Sequence, residues 1–157
     1  MTNNIIKPEL EFVFEAQGKL GDPLVIGANH EGIHRIIPIL EGSFEGPDIR
    51  GTIVSTGAAD WQFTRNDKVT QAEAAYALRT DDGVLIRVRN YGLRHGPDAV
   101  MERLAAGEEV GPDEYYFRTV PRFTAPAGSY DWLNKSIFLC SGARFPDAIR
   151  LRFYRVL

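Results

Sequence analysis

The strongest constraint on the fold of this chain is a series of short runs in which apolar and polar residues alternate. The clearest examples are ELEFVFEAQG at 9–18, VLIRVRNYGLRHG at 84–96 and AIRLRFYRVL at 148–157. Alternation with a period of two places successive side chains on opposite faces of a β-strand. Turn residues separate the runs, and TDDG at 80–83 is typical of a hairpin. The chain is therefore predicted to be mainly antiparallel β structure.

Further runs of the same kind raise the predicted number of strands to about eight or nine. They are IHRIIPILEGSFEG at 33–46, RGTIVSTGAADWQFTRNDKV at 50–69, EYYFRTVPRFTA at 114–125 and KSIFLCSGARF at 135–145. Pro38 predicts an edge or a bulge in the first run, and Gly57 predicts a break in the second. Residues 69–80 are rich in alanine, but the hairpin signal that follows them favours a strand. Turn-separated strands in this number predict an antiparallel barrel or a sandwich.

One short helix is predicted within GPDAVMERLAAGEEVGP at 96–112. Pro97 suits the first turn of a helix, and Asp98 complements the positive end of the helix dipole. Gly107 is suited to ending the helix. The apolar stripe that would face the rest of the protein consists of Val100, Met101 and Leu104.

Composition and charge predict an ordinary globular protein. The 157 residues are most simply a single domain, and 44% of them are hydrophobic and 25% charged. The formal charge of −3 and the dispersed arginines predict no nucleic-acid surface. Because no apolar stretch approaches the ~18 residues of a membrane span and no signal peptide is evident, a cytoplasmic protein without membrane contact is expected. The single cysteine, Cys140, is expected to be a small core residue rather than a reactive thiol.

Residues 30–34 spell H-E-x-x-H, the pattern of a zinc protease. That pattern works on a helix, where residues four apart share a face and both imidazoles reach one metal ion. Here Gly32 interrupts the segment and β-branched residues follow it, so the segment is predicted to start a strand. His30 and His34 would then stand roughly 13 Å apart, at ~3.3 Å per residue, which is too far to bind one ion. No metal site is predicted.

Four segments together resemble the DUF3237 family, also known as UPF0311. They are EGSFEGPDIRGTIVSTGAADWQ, YALRTDDGVLIRVRNYGLRHGP, EYYFRTVPRF and YDWLNKSIFLCSGAR. The resemblance covers about residues 9–156 and depends on the combination of G-x-x-x-G, A-D-W, T-x-D-G-x-x-I, Y-F-R-T-x-P-x-F and W-L-N. It implies a small antiparallel β-barrel, often oligomeric, and no established general activity. The prediction is therefore a barrel of about eight or nine strands with one short helix.

Two positions depart from the pattern that the resemblance implies. The family often has arginine or another residue where this chain has His34. It also has glutamate after the last phenylalanine of Y-F-R-T-x-P-x-F, where this chain has Thr124. Any chemistry that depends on that glutamate elsewhere does not carry over to this chain.

The A-D-W pair, Asp60 and Trp61, is the first candidate site. A carboxylate beside a large aromatic ring could be a general base whose pKa is raised by desolvation, with the ring against a flat apolar substrate. The alternative is an aspartate that caps a turn and a tryptophan that belongs to the core.

Two strands supply further candidates. In EYYFRT, Tyr116 and Arg118 share one face, and Arg118 could hold a carboxylate, phenolate or enolate or, alternatively, form a structural ion pair. In LIRVRNYG, Arg89 shares a face with Arg87 and Tyr91, and that face either meets solvent, which is favoured, or lines a cavity. Both interpretations depend on which face of each strand turns inward.

The segment YDWLN places Trp132 and Asn134 in a turn between strands. They could rim the mouth of a pocket, where Asn134 would orient a carbonyl of the ligand. Alternatively, Trp132 plugs the end of the barrel and Asn134 satisfies backbone groups.

These candidates lead to the hypothesis of a cofactor-independent lyase, isomerase or cyclase acting on a polar aromatic or carbonyl compound. Asp60 or His34 would move the proton. Arg118 with Tyr116 would stabilise developing oxyanion charge. The substrate would be held by Trp61, Arg89, Trp132 and Asn134. Small molecules and further copies of the chain are the predicted partners.

Two alternatives to the catalytic hypothesis remain open. One is a barrel that binds or carries a similar compound without transforming it. The other is an oligomeric scaffold whose interior is filled by its own side chains. The catalytic hypothesis requires His34, Asp60 and Arg118 to converge on one cavity.

Overall fold

The computed structural model describes residues 4–157. Within them the chain forms nine β-strands, one α-helix and one 3-10 helix. The strands are β1 Leu10–Leu20, β2 Leu24–Ala28, β3 Gly32–Glu45, β4 Arg50–Arg65, β5 Thr70–Thr80, β6 Leu85–His95, β7 Tyr116–Thr124, β8 Phe138–Arg144 and β9 Ala148–Val156. The helix α1 is Asp98–Ala105, and the 3-10 helix is Asp131–Lys135.

The strands form one antiparallel sheet that closes on itself. Its order is β1-β9-β8-β7-β6-β5-β4-β3-β2, and β1 also pairs with β3. The β1–β3 pairing closes an eight-stranded barrel and leaves β2 outside it, as an extra strand on β3. The predicted antiparallel barrel of about eight or nine strands with one short helix is confirmed.

Pro38 lies where β3 changes its neighbour. Before it, β3 pairs with β2 as far as Ile36, and after it β3 pairs with β1 from Ile39. Proline has no N–H to donate to a ladder, so this exchange of partners is a position that tolerates it. The register with β4 also shifts between Pro38 and Gly42, so the predicted bulge is confirmed.

Gly57 does not break its strand. β4 is continuous from Arg50 to Arg65, and the register with β5 shifts between Val54 and Ala59. Gly57 adopts a φ of +69°, which L side chains rarely adopt, within this irregular stretch. The predicted division is therefore wrong, because the strand absorbs the glycine as a bulge rather than ending there.

The barrel closure requires a glycine on β3. Gly42 pairs with Gly18, and a Cβ at Gly42 would lie 2.2 Å from the backbone oxygen of Gln17. We expect Gly42→Ala to lower the free energy of unfolding by ~1–3 kcal/mol, because β1 and β3 would have to move apart. Urea denaturation would measure this. Ser43→Ala, at the exposed next position, is the control, and an equal loss in both variants would contradict the prediction.

The two ends of the barrel are filled differently. One end is packed with hydrocarbon, including the fully buried Phe14, Phe138 and Phe153, and the 3-10 helix adds the buried Leu133 there. At the other end α1 packs its stripe of Val100, Met101 and Leu104 against a small cluster made of Val110, Tyr115 and Phe117. Several charged and polar side chains also lie beneath α1 among apolar ones, and together they form the site described below.

The helix lies within the predicted segment. α1 begins after Pro97, and Gly107, with a φ of +80°, follows its end. The Nζ atom of Lys68 lies 2.8 Å from Oδ2 of Asp98, which ties the first turn of α1 to the β4–β5 turn. Within residues 4–157, no helix is both long enough and apolar enough to cross a membrane.

Candidate functional site

The polar end of the barrel contains a small inner cavity that adjoins a larger vestibule beneath α1. The inner cavity has a volume of about 40 Å³, and the vestibule has a volume of about 570 Å³. The residues that line both spaces are Leu20, Ile37, Gln62, Arg94 and Arg144. A vestibule of this size is in the usual range for a small-molecule site.

Strand alternation places the polar side chains in the cavity. On β4, Asp60 and Gln62 line the cavity, while the intervening Trp61 is exposed. On β6, Asn90 and Arg94 are buried and continue the inward register of Ile86 and Val88. The remaining polar lining comes from three other strands and consists of Tyr76, Thr119 and Arg144.

The Asp60 carboxylate is held by neutral donors. Nε2 of Gln62 donates to Asp60 Oδ2 at 2.7 Å, and the backbone N–H of Glu73 donates to Oδ1 at 2.9 Å. Burial raises the pKa of Asp60 above its ordinary value, although these hydrogen bonds and the nearby Arg94 and Arg144 oppose the rise. A carboxyl group in this situation is a poised proton acceptor.

Two guanidinium groups, those of Arg94 and Arg144, lie near this carboxylate, and a third, that of Arg35, contacts its hydrogen-bond partner Gln62. Burial and the nearby Arg144 lower the pKa of Arg94 to about 10. Nη2 of Arg35 donates to Oε1 of Gln62 at 2.8 Å, so Gln62 links Arg35 to Asp60. Nη1 of Arg144 donates to the backbone oxygens of Phe145 and Ala148 at 2.7 and 3.2 Å. Arg35 and Arg144 are therefore held by neutral groups.

The inner part of the cavity has a wall of neutral polar groups. Tyr76, Asn90 and Thr119 are buried there, and each has an oxygen that has no hydrogen-bond partner in the part of the chain from 4 to 157. Burial raises the pKa of the Tyr76 hydroxyl, so this group stays protonated at neutral pH. Cys140 is buried, and burial raises the pKa of its thiol to about 12, so the predicted core role is confirmed.

Most of the predicted site residues lie outside this cavity. Four of them are exposed on the outer face of the barrel, and these are Trp61, Arg89, Tyr116 and Arg118. Arg118 packs over the ring of Tyr116 at 5.4 Å and donates from Nη1 to the backbone oxygen of Phe117. Tyr116 and Arg118 point outward because the alternation of β7 places Phe117 and Thr119 at its inward positions. The expected convergence of His34, Asp60 and Arg118 does not occur.

His34 also points away from the cavity. It lies in β3 opposite Phe63 and stacks on that ring with 4.7 Å between centroids. The segment around it is a turn followed by a strand, as its pattern predicts, and it lacks the helix on which H-E-x-x-H depends. Within residues 4–157, no group of three or more His, Cys, Asp or Glu side chains could hold a metal ion.

Trp132 and Asn134 lie at the hydrocarbon-filled end. Trp132 packs against Phe138 at 6.4 Å between centroids. Asn134 accepts from the backbone N–H of Ala125 and donates to its carbonyl oxygen, each at 2.9 Å. These contacts correspond to the plug and the backbone role weighed for the two residues, and neither residue lines the polar cavity.

Comparison with known proteins identifies the family. The family described as "Protein of unknown function (DUF3237)" matches residues 8–156. The chain belongs to the DUF3237 family. A UPF0311 protein of Rhodopseudomonas palustris (strain TIE-1) is 39% identical over 149 residues, which is 95% of this chain and 97% of the relative. The resemblance deduced from the sequence motifs is confirmed.

Two solved structures have the same fold as this chain. A conserved protein of unknown function from Rhodopseudomonas palustris matches with a TM-score of 0.93 at 37% identity, covering 98% of this chain and 100% of its own. A β-barrel-like protein from Acinetobacter baumannii matches with a TM-score of 0.86 at 32% identity, covering 99% and 100%.

A more distant structure shares the fold alone. It is described as an enzyme from Penicillium herquei and matches with a TM-score of 0.73 at 18% identity, covering 100% of both chains.

The short DUF3237 motifs contribute only part of the cavity, although the four longer segments that contain them also include Gln62, Tyr76, Asn90, Arg94 and Arg144. Asp60 comes from A-D-W, and Phe117 and Thr119 come from Y-F-R-T-x-P-x-F. Sequence reasoning missed Arg35, Gln62, Tyr76, Asn90, Arg94 and Arg144. The alternation pattern of β6 contained a signal for two of these. Asn90 and Arg94 fall on the same face of the strand as the apolar Ile86 and Val88.

Proposed function

We propose that the cavity beneath α1 is the active site of a cofactor-independent lyase, isomerase or cyclase acting by acid–base chemistry on a polar aromatic or carbonyl compound. The observation that carries the proposal is a carboxylate, Asp60, whose pKa burial raises, next to the guanidinium groups of Arg94 and Arg144. This is the combination that proton transfer next to a carbonyl requires. The likeness in fold to a protein described as an enzyme agrees with it.

The proposed reaction assigns a separate task to each side of the cavity. Asp60 accepts a proton from a carbon or hydroxyl group next to the substrate carbonyl and later returns it to another atom of the same molecule. Arg94 and Arg144 stabilise the negative charge that develops on the carbonyl oxygen. They take the role that the sequence suggested for Arg118 and Tyr116. The aromatic part of the substrate would occupy the vestibule rather than contact Trp61 or Trp132.

A carrier that binds the same class of compound without transforming it is the second candidate. The observation that favours it is that both oxygens of Asp60 already accept a hydrogen bond, which would hold the carboxylate in place. The presence of the charged Asp60, Arg94 and Arg144 among the residues that line the cavity argues against a barrel filled only by its own side chains. In either case we expect a cytoplasmic protein.

Product formation separates the enzyme from the carrier. Purified protein would be incubated with phenolic, hydroxy and keto acids and with the corresponding neutral carbonyl compounds, and the mixtures would be analysed by NMR and mass spectrometry. An enzyme yields a new isomer, elimination product or cyclised product in catalytic excess over protein. Binding of a compound that is recovered unchanged would support the carrier.

We also propose that the chain forms a homo-oligomer through the outer face around β2. Leu24, Ile36 and Trp61 form one cross-strand row on this face, and Leu24 and Trp61 are 59% and 55% exposed. In the described residues β2 pairs with β3 alone. The backbone N–H and C=O groups along its other edge are therefore free to pair with another strand. In a dimer with a two-fold axis, that strand would be β2 of the second copy.

Light scattering coupled to size exclusion would test this assembly. The wild type should have at least twice the 17.6 kDa mass of the chain, and Trp61→Glu should shift it towards the monomer, because the charge would be buried in the contact. Leu85→Glu is the control, since Leu85 is also 50% exposed but lies at the start of β6. A monomeric wild type would disprove the assembly.

A further inference from the structure

The charges that line the inner cavity indicate which chemical group it accepts. Two guanidinium groups, those of Arg94 and Arg144, share it with a single carboxylate, Asp60. The other carboxylates near α1 line the vestibule and not the inner cavity, and they are Asp22, Asp98, Glu102 and Asp147. The inner cavity therefore has a surplus of positive charge even when Asp60 is ionised, and it favours an anion.

Arg94 is the group that most needs such a partner. It is 8% exposed, and its guanidinium lies over the ring of Phe117 at 5.5 Å. Its Nε has no hydrogen-bond acceptor among residues 4–157. Because a buried charge without an acceptor is unfavourable, a ligand anion would replace the missing interaction. A carboxylate suits a guanidinium, since the planar fork can donate two parallel hydrogen bonds to it.

The unpartnered neutral groups indicate a second oxygen on the same ligand. The hydroxyl of Tyr76 stays protonated and can donate a hydrogen bond, while Oδ1 of Asn90 can only accept one. One oxygen that accepts from Tyr76 and donates to Asn90 would satisfy both groups. A hydroxyl group, or the enol form of a carbonyl, does both. Thr119 adds a further unpartnered hydroxyl to this wall.

Size limits what can enter the inner cavity. A volume of about 40 Å³ holds roughly three water-sized positions, which suits a compact polar head group and excludes an aromatic ring. The ring or chain of the ligand would remain in the vestibule of about 570 Å³. The head group would thus bind below the body of the ligand, at the level of Asp60 and Arg94.

We propose that the cavity recognises 2-hydroxy carboxylic acids and the enol forms of 2-oxo acids. The carboxylate binds Arg94 and Arg144, and the 2-oxygen binds Tyr76 and Asn90. This inference rests on the function proposed above for the same site and names its substrate class. Asp60 would then lie next to the carbon that carries the 2-oxygen.

Calorimetric titration with matched compounds tests the two contacts on the ligand side. The probes are phenyllactate, its methyl ester, and 3-phenylpropionate, which lacks the 2-hydroxyl group. Phenyllactate should bind at least ~10-fold more tightly than either of the others, since each of them loses one set of buried hydrogen bonds. Equal affinity for the acid and its ester, or no binding of phenyllactate, would overturn the proposal.

Variants of the protein test the same contacts from the other side. Arg94→Gln should abolish the preference for the acid over the ester, and Tyr76→Phe should abolish the preference for phenyllactate over 3-phenylpropionate. Arg87→Gln is the matched control, because Arg87 is an exposed arginine on the same strand as Arg94. Circular dichroism would establish that each variant is folded. Preferences that persist in the cavity variants would contradict the assignment.

The two proposals fail in different ways. Acid binding that depends on Arg94 without any product would support the recognition of hydroxy acids and leave the protein a carrier. Turnover of neutral carbonyl compounds that depends on Asp60, with no preference for acids, would support the enzyme and exclude the recognition of a carboxylate.

Discussion

Asparagine in place of Asp60 is expected to lower kcat at least ~100-fold on any compound that the wild type transforms. An amide has nearly the same shape as a carboxylate but does not accept a proton at neutral pH. The asparagine oxygen can still accept from the backbone N–H of Glu73, which lies 2.9 Å from Asp60 Oδ1, whereas its amide nitrogen cannot accept the hydrogen bond that Gln62 Nε2 donates to Asp60 Oδ2 at 2.7 Å. The loss should therefore fall mainly on kcat, measured by product formation, with a smaller effect on KM.

The pH dependence gives this prediction a second readout. Burial raises the pKa of Asp60 above the ordinary value of 3.8, and a general base must be ionised to act. Accordingly, kcat/KM should rise with pH through the raised pKa and become constant above it. This rise in kcat/KM should occur above pH 3.8, and it should be absent from the residual activity of the Asp60→Asn variant.

A neighbouring carboxylate provides the control for Asp60. Glu73→Gln removes an exposed acid on β5 whose backbone, rather than its side chain, contacts Asp60. Its kcat and pH profile should match the wild type. Full turnover by the Asp60→Asn variant would exclude the role of Asp60 in proton transfer. A loss of equal size in both variants would show that general electrostatics, rather than one carboxylate, determines the rate.

Alanine in place of Phe14 is expected to lower the free energy of unfolding by ~3–5 kcal/mol. Phe14 is fully buried, stacks on Phe153 at 4.3 Å between centroids and meets the edges of Phe44 and Phe123 at 5.3 and 5.9 Å. Removing the ring leaves a cavity among three other aromatic rings, which cannot collapse into it without breaking their own contacts. Urea denaturation followed by circular dichroism would measure the change.

Phe12 is the matched control, two residues earlier on the same strand. It is 41% exposed and contacts the ring of Tyr154 at 6.2 Å. Phe12→Ala should cost no more than ~1.5 kcal/mol, because little apolar surface is lost from the core. A loss in Phe14→Ala no greater than in Phe12→Ala would mean that the aromatic end of the barrel is not the main source of its stability.

The fold could be predicted because its signals are local. Period-two runs and turn residues mark each strand, and a strand count of about eight or nine with short turns leaves few architectures. The bulge at Pro38 followed from the missing N–H of proline. The break predicted at Gly57 failed because a glycine inside a strand is compatible with either an end or a bulge, and only pairing with β5 decides between them.

The site was harder to predict, because alternation shows which residues share a face and not which face turns inward. In β7 the face that contains Tyr116 and Arg118 was predicted to contribute to the site, whereas the opposite face, with Phe117 and Thr119, lines the cavity. In β6 the arginine-rich face is the outer one, as the favoured interpretation had it. The charged Arg94 lies on the apolar inner face instead. Asp60, 34 positions earlier in the sequence, comes close to Arg94 because β4 and β6 both pair with β5.

The unequal filling of the two ends of the barrel has a consequence for how this scaffold can be altered. The aromatic rings that pack on one another lie at one end of the barrel, and the charged residues of the cavity lie at the other, beneath α1. Exchanging Asn90 or Thr119, which lie outside the main apolar core, should therefore change the selectivity of the cavity with little effect on the stability of the barrel. The same division makes the protein a suitable starting point for laboratory evolution of new catalysts.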